Sequence, residues 1–169
     1  MKKILLCLLA SFILGASTTL VQAQQKIDRE GFSVKYPDSW GIDLEDEDYD
    51  PDALFSLDSY KAEGASIMFM IYDGPMDADE MLAAQVKGMT KELIKNPTSI
   101  TSFNTWGKLQ GKGKKINGKM LGEFEGYVRL FIYTDNNKSM IILEQAYDSD
   151  TKTVGKDFIS IANSFVFKK

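Results

Sequence analysis

The stretch from Asp43 to Asp52 holds the densest group of chemically active side chains in the sequence. Its carboxylates are Asp43, Glu45, Asp46, Glu47, Asp48, Asp50 and Asp52. A hard cation such as Ca²⁺ takes six to eight oxygen ligands, so cation binding is one interpretation. The calcium-loop pattern is not matched, because Pro51 stands where glycine is needed and Leu57 stands where glutamate is needed. Weak cation binding is therefore one of three interpretations of this stretch. The others are a solvated acidic loop, which we favour, and a docking segment for a basic partner.

A second group of charges is basic and lies between residues 107 and 119. Its lysines are Lys108, Lys112, Lys114, Lys115 and Lys119, and they interleave with Gly107, Gly111, Gly113 and Gly118. The order of residues does not match a phosphate-binding loop, and no helix is predicted to follow. Asn117-Gly118 is a typical two-residue hairpin turn. We therefore predict a charged, twisted hairpin whose lysines guard a sheet edge, with an anionic polymer or an acidic protein surface as the alternative partner.

Acid–base catalysis would need carboxylates on rigid strands, and Glu123, Glu125 and Glu144 lie on predicted strands. Glu144 interrupts an apolar run, so a buried carboxylate on a strand is one interpretation. We favour a carboxylate at a strand end or edge, in water. The chain has no histidine, and its single cysteine, Cys7, lies near the N-terminus. The residue types that most often act as nucleophile, general base or transition-metal ligand are thus almost absent. We expect no catalytic, cofactor-binding or metal-binding residues.

Two tryptophans and a group of methionines are candidate core residues. Trp40 is expected in the core, with its N–H on a backbone carbonyl. Trp106 follows a polar segment, so a surface position is one interpretation, with contact to a partner as a less favoured role. Methionine adapts to irregular gaps, so core filling is favoured over an adaptable binding patch for the clustered methionines. These are Met68, Met70, Met76, Met81 and Met89.

The N-terminus has the pattern of a secretory signal. Lys2 and Lys3 precede an apolar run over residues 4–14, and Val21-Gln22-Ala23 offers small residues for cleavage. That run is too short for a bilayer span of about 20 residues, although an uncleaved anchor is the alternative. We predict a signal peptide over 1–23 and one domain over 24–169. Loss of Lys2 and Lys3 leaves 18 basic and 24 acidic residues, a net charge of −6. This acidic balance argues against nucleic acid and anionic membranes as partners.

Hydrophobic periodicity predicts several strands and two helices. Alternating or doubly apolar segments indicate strands over 31–36, 40–44, 54–60, 65–72, 127–133 and 140–147, with a hairpin turn over 134–139. One helix begins near Asp77 and Glu80, carries a stripe of Leu82, Val86, Met89 and Leu93, and ends at Asn96-Pro97. A second helix follows Asp150 or Thr151, and its stripe is Val154, Phe158, Ile161 and Phe165.

Several strands are apolar on both sides, so helices should cover the sheet on both faces. The predicted fold class is α+β: a largely antiparallel sheet covered by helices on both faces, in an α/β/α sandwich.

Both ends of the predicted domain resemble the PsbP-like superfamily. Residues 31–40, Gly-Phe-Ser-Val-Lys-Tyr-Pro-Asp-Ser-Trp, are similar to the opening motif of that superfamily, and residues 158–165 are similar to its closing helix, where a Ser-Phe pair leads into a last short strand. The superfamily includes the extrinsic photosystem II subunit, a Ran-binding protein of the same fold and bacterial periplasmic DcrB-like proteins. The resemblance implies an antiparallel sheet flanked by helices and an accessory or protein-binding role. Photosystem-type members use histidine in metal binding, and this chain has none.

The sequence thus predicts a non-catalytic, exported accessory or protein-binding domain of the periplasm or cell envelope, or an extracellular one. The expected partner is a protein of the cell envelope, with no cofactor and no transmembrane anchor in the mature chain. The alternative function is a cation- or small-ligand-binding module that uses the acidic loop Asp43–Asp52.

Overall fold

A computed structural model describes residues 24–43, 50 and 53–168. The predicted signal peptide and most of the acidic stretch, residues 44–49, 51 and 52, lie outside the described residues. The helices are α1 (Ala78–Glu92) and α2 (Thr151–Ser164). The strands are β1 (Gln24–Asp28), β2 (Phe32–Pro37), β3 (Trp40–Ile42), β4 (Leu54–Ser59), β5 (Ser66–Asp73), β6 (Ser99–Trp106), β7 (Leu109–Met120), β8 (Phe124–Thr134), β9 (Lys138–Tyr147) and β10 (Val166–Phe167).

The described strands form two sheets, and every pairing is antiparallel. Seven strands lie in the order β3-β4-β5-β9-β8-β7-β6, and β1, β2 and β10 form a separate sheet with β2 in the middle. The α+β class and the largely antiparallel sheet are therefore confirmed. The small second sheet is a difference from the single sheet that we predicted. None of the helices in the described part is both long and apolar enough to cross a membrane.

Helix α1 begins where the sequence predicts, because Asp77 is an effective N-cap. Its side chain accepts hydrogen bonds from the backbone N–H groups of Asp79 and Glu80. The helix ends at Glu92, and Asn96, with φ of 59°, then redirects the chain towards β6. Helix α2 follows Asp150, which stands at the N-cap position without a side-chain capping bond.

Buried apolar residues form two clusters. The α2 cluster joins Phe158 and Ile161 of α2 to Ile142 of β9 and Phe131 of β8. The α1 cluster joins α1 to residues of β7, β8 and β9. Its members include Leu82, Ile116, Leu130, Ile132, Ile141 and Leu143.

The predicted turn at Asn117-Gly118 is wrong. Both residues lie inside β7, which runs without interruption to Met120. The chain turns instead after Met120, where Leu121 and Gly122 have positive φ values of 53° and 81°. Gly118 has another role: a Cβ there would lie 2.7 Å from Ile94 Cγ2, so the glycine lets the end of the α1 region pack closely on β7.

Candidate functional site

Glu144 is a buried carboxylate in the middle of β9, with only 2% of its side chain exposed. It lies opposite Arg129 of β8 in the sheet register. Arg129 Nη1 donates to both carboxylate oxygens, at 2.8 Å to Oε1 and 3.1 Å to Oε2. The favoured prediction of an edge carboxylate in water is therefore wrong. The sheet pairs two opposite charges that lie within largely apolar parts of β8 and β9.

Trp106 supplies a third member of this arrangement. Its indole Nε1 donates to Glu144 Oε2 at 2.9 Å. The residue is 1% exposed, and its ring packs edge-on against Phe69 and Phe165. The structure therefore excludes the surface position that the sequence leaves open for Trp106. Trp106 is buried because Gly107, with φ of 54°, turns the chain where a Cβ would lie 2.0 Å from the backbone oxygen of Ala162.

Arg129, the partner of Glu144, and its neighbour Lys115 each lie against an aromatic ring. The Arg129 guanidinium is 4.6 Å from the centre of the Phe103 ring, and Lys115 Nζ is 4.1 Å from the centre of the Tyr127 ring. Lys115 and Arg129 are direct neighbours across β7 and β8. Such contacts hold a cation at a fixed position while it stays partly hydrated. We call this set the cation–aromatic patch; its residues are Phe103, Trp106, Lys115, Tyr127, Arg129 and Glu144.

The electrostatics of the patch follow from burial and from Glu144. Burial of the phenol is the main cause that raises the pKa of Tyr127 to about 12, and the Glu144 charge adds to this effect. Tyr127 is therefore a neutral phenol at neutral pH. The Arg129 side chain is 31% exposed, so part of it remains accessible to solvent.

This arrangement suits recognition of an anionic group better than proton transfer. Both Glu144 oxygens already accept hydrogen bonds, one from Arg129 alone and the other from Arg129 and Trp106. Arg129 makes hydrogen bonds through Nη1, and the structure assigns none to its other nitrogens. A guanidinium with free donors matches carboxylate geometry. Arg129 and Lys115 together can attract a carboxylate, while Glu144 holds Arg129 in place.

The predicted basic residues come together only in part. Lys112, Lys114, Lys115 and Lys119 all lie on β7, and Lys108 lies in the turn that precedes it. Their glycine neighbours serve packing: a Cβ at Gly113 would lie 2.4 Å from the Phe103 ring. The ring of Phe103 thus lies across β7, and this position brings it under Arg129. The interleaved lysines and glycines belong to β7, and the Phe103 ring packs on this strand at Gly113.

Other predicted residues lie elsewhere. Glu123 and Glu125 are exposed near the β7–β8 turn. Trp40 is buried as predicted, but its Nε1 donates to Asp157 Oδ2 at 3.0 Å and not to a carbonyl. Four methionines pack against the α1 cluster, namely Met70, Met76, Met81 and Met89, whereas Met68 is exposed. Within the described residues, no three side chains of His, Cys, Asp or Glu are placed to hold a metal ion. The acidic stretch lies mostly outside those residues.

Phe103, Tyr127 and Arg129 belong to the patch but are not among the candidate residues that the sequence predicts. A signal for Arg129 is present, because it lies between Val128 and Leu130 in the apolar middle of β8, much as Glu144 follows an apolar run in β9. Opposite charges in the apolar parts of two strands joined by a short hairpin predict a cross-strand ion pair.

Comparison with known proteins gives structural likenesses alone. No family model matches the sequence, and no curated protein matches it. The solution structure of cyanobacterial PsbP (CyanoP) from Synechocystis is similar, with a TM-score of 0.55 and 12% identity over 92% of this chain and 99% of that chain. The crystal structure of LpqN, a protein involved in cell envelope biogenesis of Mycobacterium tuberculosis, is also similar. Its TM-score is 0.55, with 13% identity over 86% of this chain and 92% of that chain.

A third similar structure is the Ran-binding protein Mog1p of Saccharomyces cerevisiae. Its TM-score is 0.50, with 9% identity over 86% of this chain and 95% of that chain. All three have the PsbP-like fold. The identities are low, so they establish architecture and no shared activity. The chain described here has the PsbP-like fold, as its opening and closing motifs predicted.

Proposed function

We propose that this protein is a non-catalytic accessory of the cell envelope that binds another protein. The observation that carries this proposal is the cation–aromatic patch, in which Lys115 and Arg129 are held on aromatic rings by adjacent strands. Arginine and tyrosine are enriched among the residues that dominate binding energy at protein interfaces. A patch on paired strands of a sheet is preorganised, so binding costs little ordering of side chains.

The structural neighbours support the same class of role. One is named as a Ran-binding protein, and another as involved in cell envelope biogenesis. These descriptions belong to those proteins, and the low identities allow no transfer of a partner. They favour a binding or accessory role for this fold in the present chain over catalysis.

We further propose that residues 1–23 are an export signal and that residues 24–169 form a single periplasmic or extracellular domain. The charged start, short apolar run and small residues before Gln24 support export.

We also infer that α1 and α2 cover opposite faces of the seven-stranded sheet, as in an α/β/α sandwich. Consecutive residues of a strand point to opposite faces. In β9, Ile142 belongs to the α2 cluster, whereas Ile141 and Leu143 belong to the α1 cluster. The same alternation in β8 places Phe131 with α2 and its two neighbours with α1.

The proposed protein-binding function is tested by crosslinking in intact cells of the source organism, with the tagged full chain and two charge-reversal variants. We expect the wild type to be trapped with one defined envelope protein, and we expect Lys115→Glu to lose that product. Lys119→Glu is the matched control, because Lys119 is an exposed lysine of the same strand outside the patch. A chain that stays monomeric and uncrosslinked, or that fractionates with the cytosol, would contradict the proposal.

A further inference from the structure

Strand β6 forms one edge of the seven-stranded sheet and is unusually bare. Within the described residues its only strand neighbour is β7. Ser99–Thr105 are exposed except for Phe103, which is partly buried. An edge strand of this kind directs alternate backbone N–H and C=O groups away from the sheet. These groups are ready to pair with another extended chain.

Proteins normally guard such an edge, and β6 carries few of the usual guards. Its sequence, Ser-Ile-Thr-Ser-Phe-Asn-Thr-Trp, contains no charged residue and no proline. The opposite edge of the sheet, β3, is only three residues long, which is itself a guard. In β6 the ladder is interrupted by an irregularity between Phe103 and Thr105. The regular, unguarded segment is therefore Ser99–Phe103.

Lysines of β7 border this segment on both faces of the sheet. Lys114 and Lys115 are the β7 partners of Ser102 and Thr101, and successive side chains point to opposite faces. Lys114 Nζ already reaches over β6, where it donates to Ser102 Oγ at 2.8 Å. Neither lysine has a carboxylate within ion-pair distance among the described residues. A strand added beside β6 would lie about 5 Å further out, within range of Lys114.

The same charges decide which occupant fits. If two copies of this chain paired through β6, the Lys114 side chains of both copies would meet on one face, and like charges disfavour that pairing. An acidic strand would instead neutralise Lys114, whose Nζ already lies at Ser102 of β6, whereas Lys115 is directed towards Tyr127 of β8. Ile100, 44% exposed, lies on the same face as Lys114 and two residues from Ser102, so it adds an apolar contact.

We infer that the edge of β6 over Ser99–Phe103 accepts an extended, acidic segment of a partner protein as an added strand. The segment has a carboxylate two residues from an apolar side chain, so that both meet Lys114 and Ile100 on one face. Main-chain hydrogen bonds supply affinity in this mode of recognition, and the alternating side chains supply specificity. This inference rests on the proposed protein-binding function and names the surface and the chemistry of its partner.

The test uses purified protein and a synthetic peptide of about ten residues, in which glutamate and valine alternate on one face and threonine fills the other. We expect the peptide to bind and to slow hydrogen exchange at alternate amides of Ser99–Phe103. Two control peptides separate the contributions. One has lysine in place of glutamate, and the other is N-methylated at the residues that face β6. We expect neither to give this protection.

Variants of the protein test the charge contribution. Lys114→Glu should weaken peptide binding by about five- to tenfold, because it replaces an attraction at the rim with a repulsion. Lys119→Glu is the control, since Lys119 lies beyond the β7 residues that pair with β6. It should change the affinity less than twofold. A Lys114→Gln variant should give an intermediate affinity if the charge alone is responsible.

Three results would overturn the inference: equal binding of the N-methylated peptide, protection confined to residues outside β6, or dimerisation through β6 in analytical ultracentrifugation. Photocrosslinking in cells separates this inference from the proposed function. A photoreactive residue at Thr101 should trap the envelope partner, with Ile159 of α2 as the distant control position. Trapping from Ile159 alone would refute the β6 site and leave the function standing, and trapping from neither position would count against both.

Discussion

The indole of Trp106 donates a 2.9 Å hydrogen bond to the carboxylate of Glu144, although the two residues lie on β6 and β9 with two strands between them. The two side chains therefore reach across β7 and β8 to form this bond. It therefore ties the edge strand to the centre of the sheet from one face. The carboxylate also holds Arg129. One buried acidic group thus fixes both the edge and the cation beside it.

Replacing Glu144 should be costly. In Glu144→Gln the Trp106 bond can persist through the amide oxygen, but Arg129 loses its counter-charge. Because Arg129 is partly exposed, water can solvate part of the guanidinium, and we expect a loss of about 2 kcal/mol in the free energy of unfolding rather than the full penalty of a buried pair. Chemical denaturation measures this loss. Glu125→Gln, an exposed change on β8, should stay within about 0.5 kcal/mol. Equal effects of the two variants would show that the buried pair contributes nothing.

Trp106→Phe removes the N–H donor and keeps most of the apolar ring. The Glu144 carboxylate then loses one of its partners in a buried place, so we expect a loss of about 1.5–3 kcal/mol. The double variant with Glu144→Gln should cost less than the sum of the single variants, because losing the indole donor costs less when the acceptor is a neutral amide than when it is a buried carboxylate. Additive losses, measured by the same denaturation, would mean that the two side chains do not interact energetically.

Gly107 and Gly88 form a matched pair for the effect of glycine. At Gly107 the backbone φ is 54° and a Cβ would collide with the Ala162 carbonyl, so Gly107→Ala should destabilise by about 2 kcal/mol or more. At Gly88, inside α1, a Cβ meets nothing within 4 Å. Gly88→Ala should therefore stabilise by about 0.5–1 kcal/mol. Melting curves of both variants test the pair, and a stabilised Gly107→Ala protein would contradict the tight turn.

The sequence predicts best those helices and strands whose buried side chains recur at a regular spacing along the chain. Helix α2 shows its stripe at Val154, Phe158 and Ile161, and all three are buried. Helix α1 was placed by the Asp77 cap. In β9, apolar residues on both faces correctly indicated a covered strand. In each case the local pattern contains the whole signal, because one element buries its own repeating side chains.

The errors concern relationships between distant strands. Strand β6 escaped prediction because its residues are exposed on both faces, so no alternation marks it. The Asn117-Gly118 pair predicts a turn, but both residues lie inside β7. Glycine stands at position 118 because a Cβ there would collide with Ile94. Glu144 looked like an edge carboxylate because its partners, Arg129 and Trp106, lie 15 and 38 residues away. The sequence carries a signal for the cross-strand pair with Arg129, but no local pattern reveals the contact with Trp106.

The acid sensitivity of the small sheet provides the last prediction. Asp28 of β1 lies 2.5 Å from Lys26 Nζ and 2.5 Å from Lys168 Nζ, beyond β10. Hydrogen bonds from Lys168 and Lys26 lower the pKa of Asp28 to about 2 from 3.8. A lowered pKa means that the contribution of Asp28 to stability is complete above about pH 4 and is lost as the pH falls through about 2.

Asp28→Asn should therefore lower the melting temperature at pH 7, and the difference from the wild type should vanish near pH 2. Because the Asp28 side chain is 47% exposed, salt should also reduce the difference at pH 7. Glu63→Gln is the control, as Glu63 is an exposed carboxylate without an ion pair among the described residues. It should not alter the pH dependence. A difference for Asp28→Asn that persists unchanged at pH 2 would show that the charge of Asp28 does not stabilise the joining of β1 to the C-terminal residues.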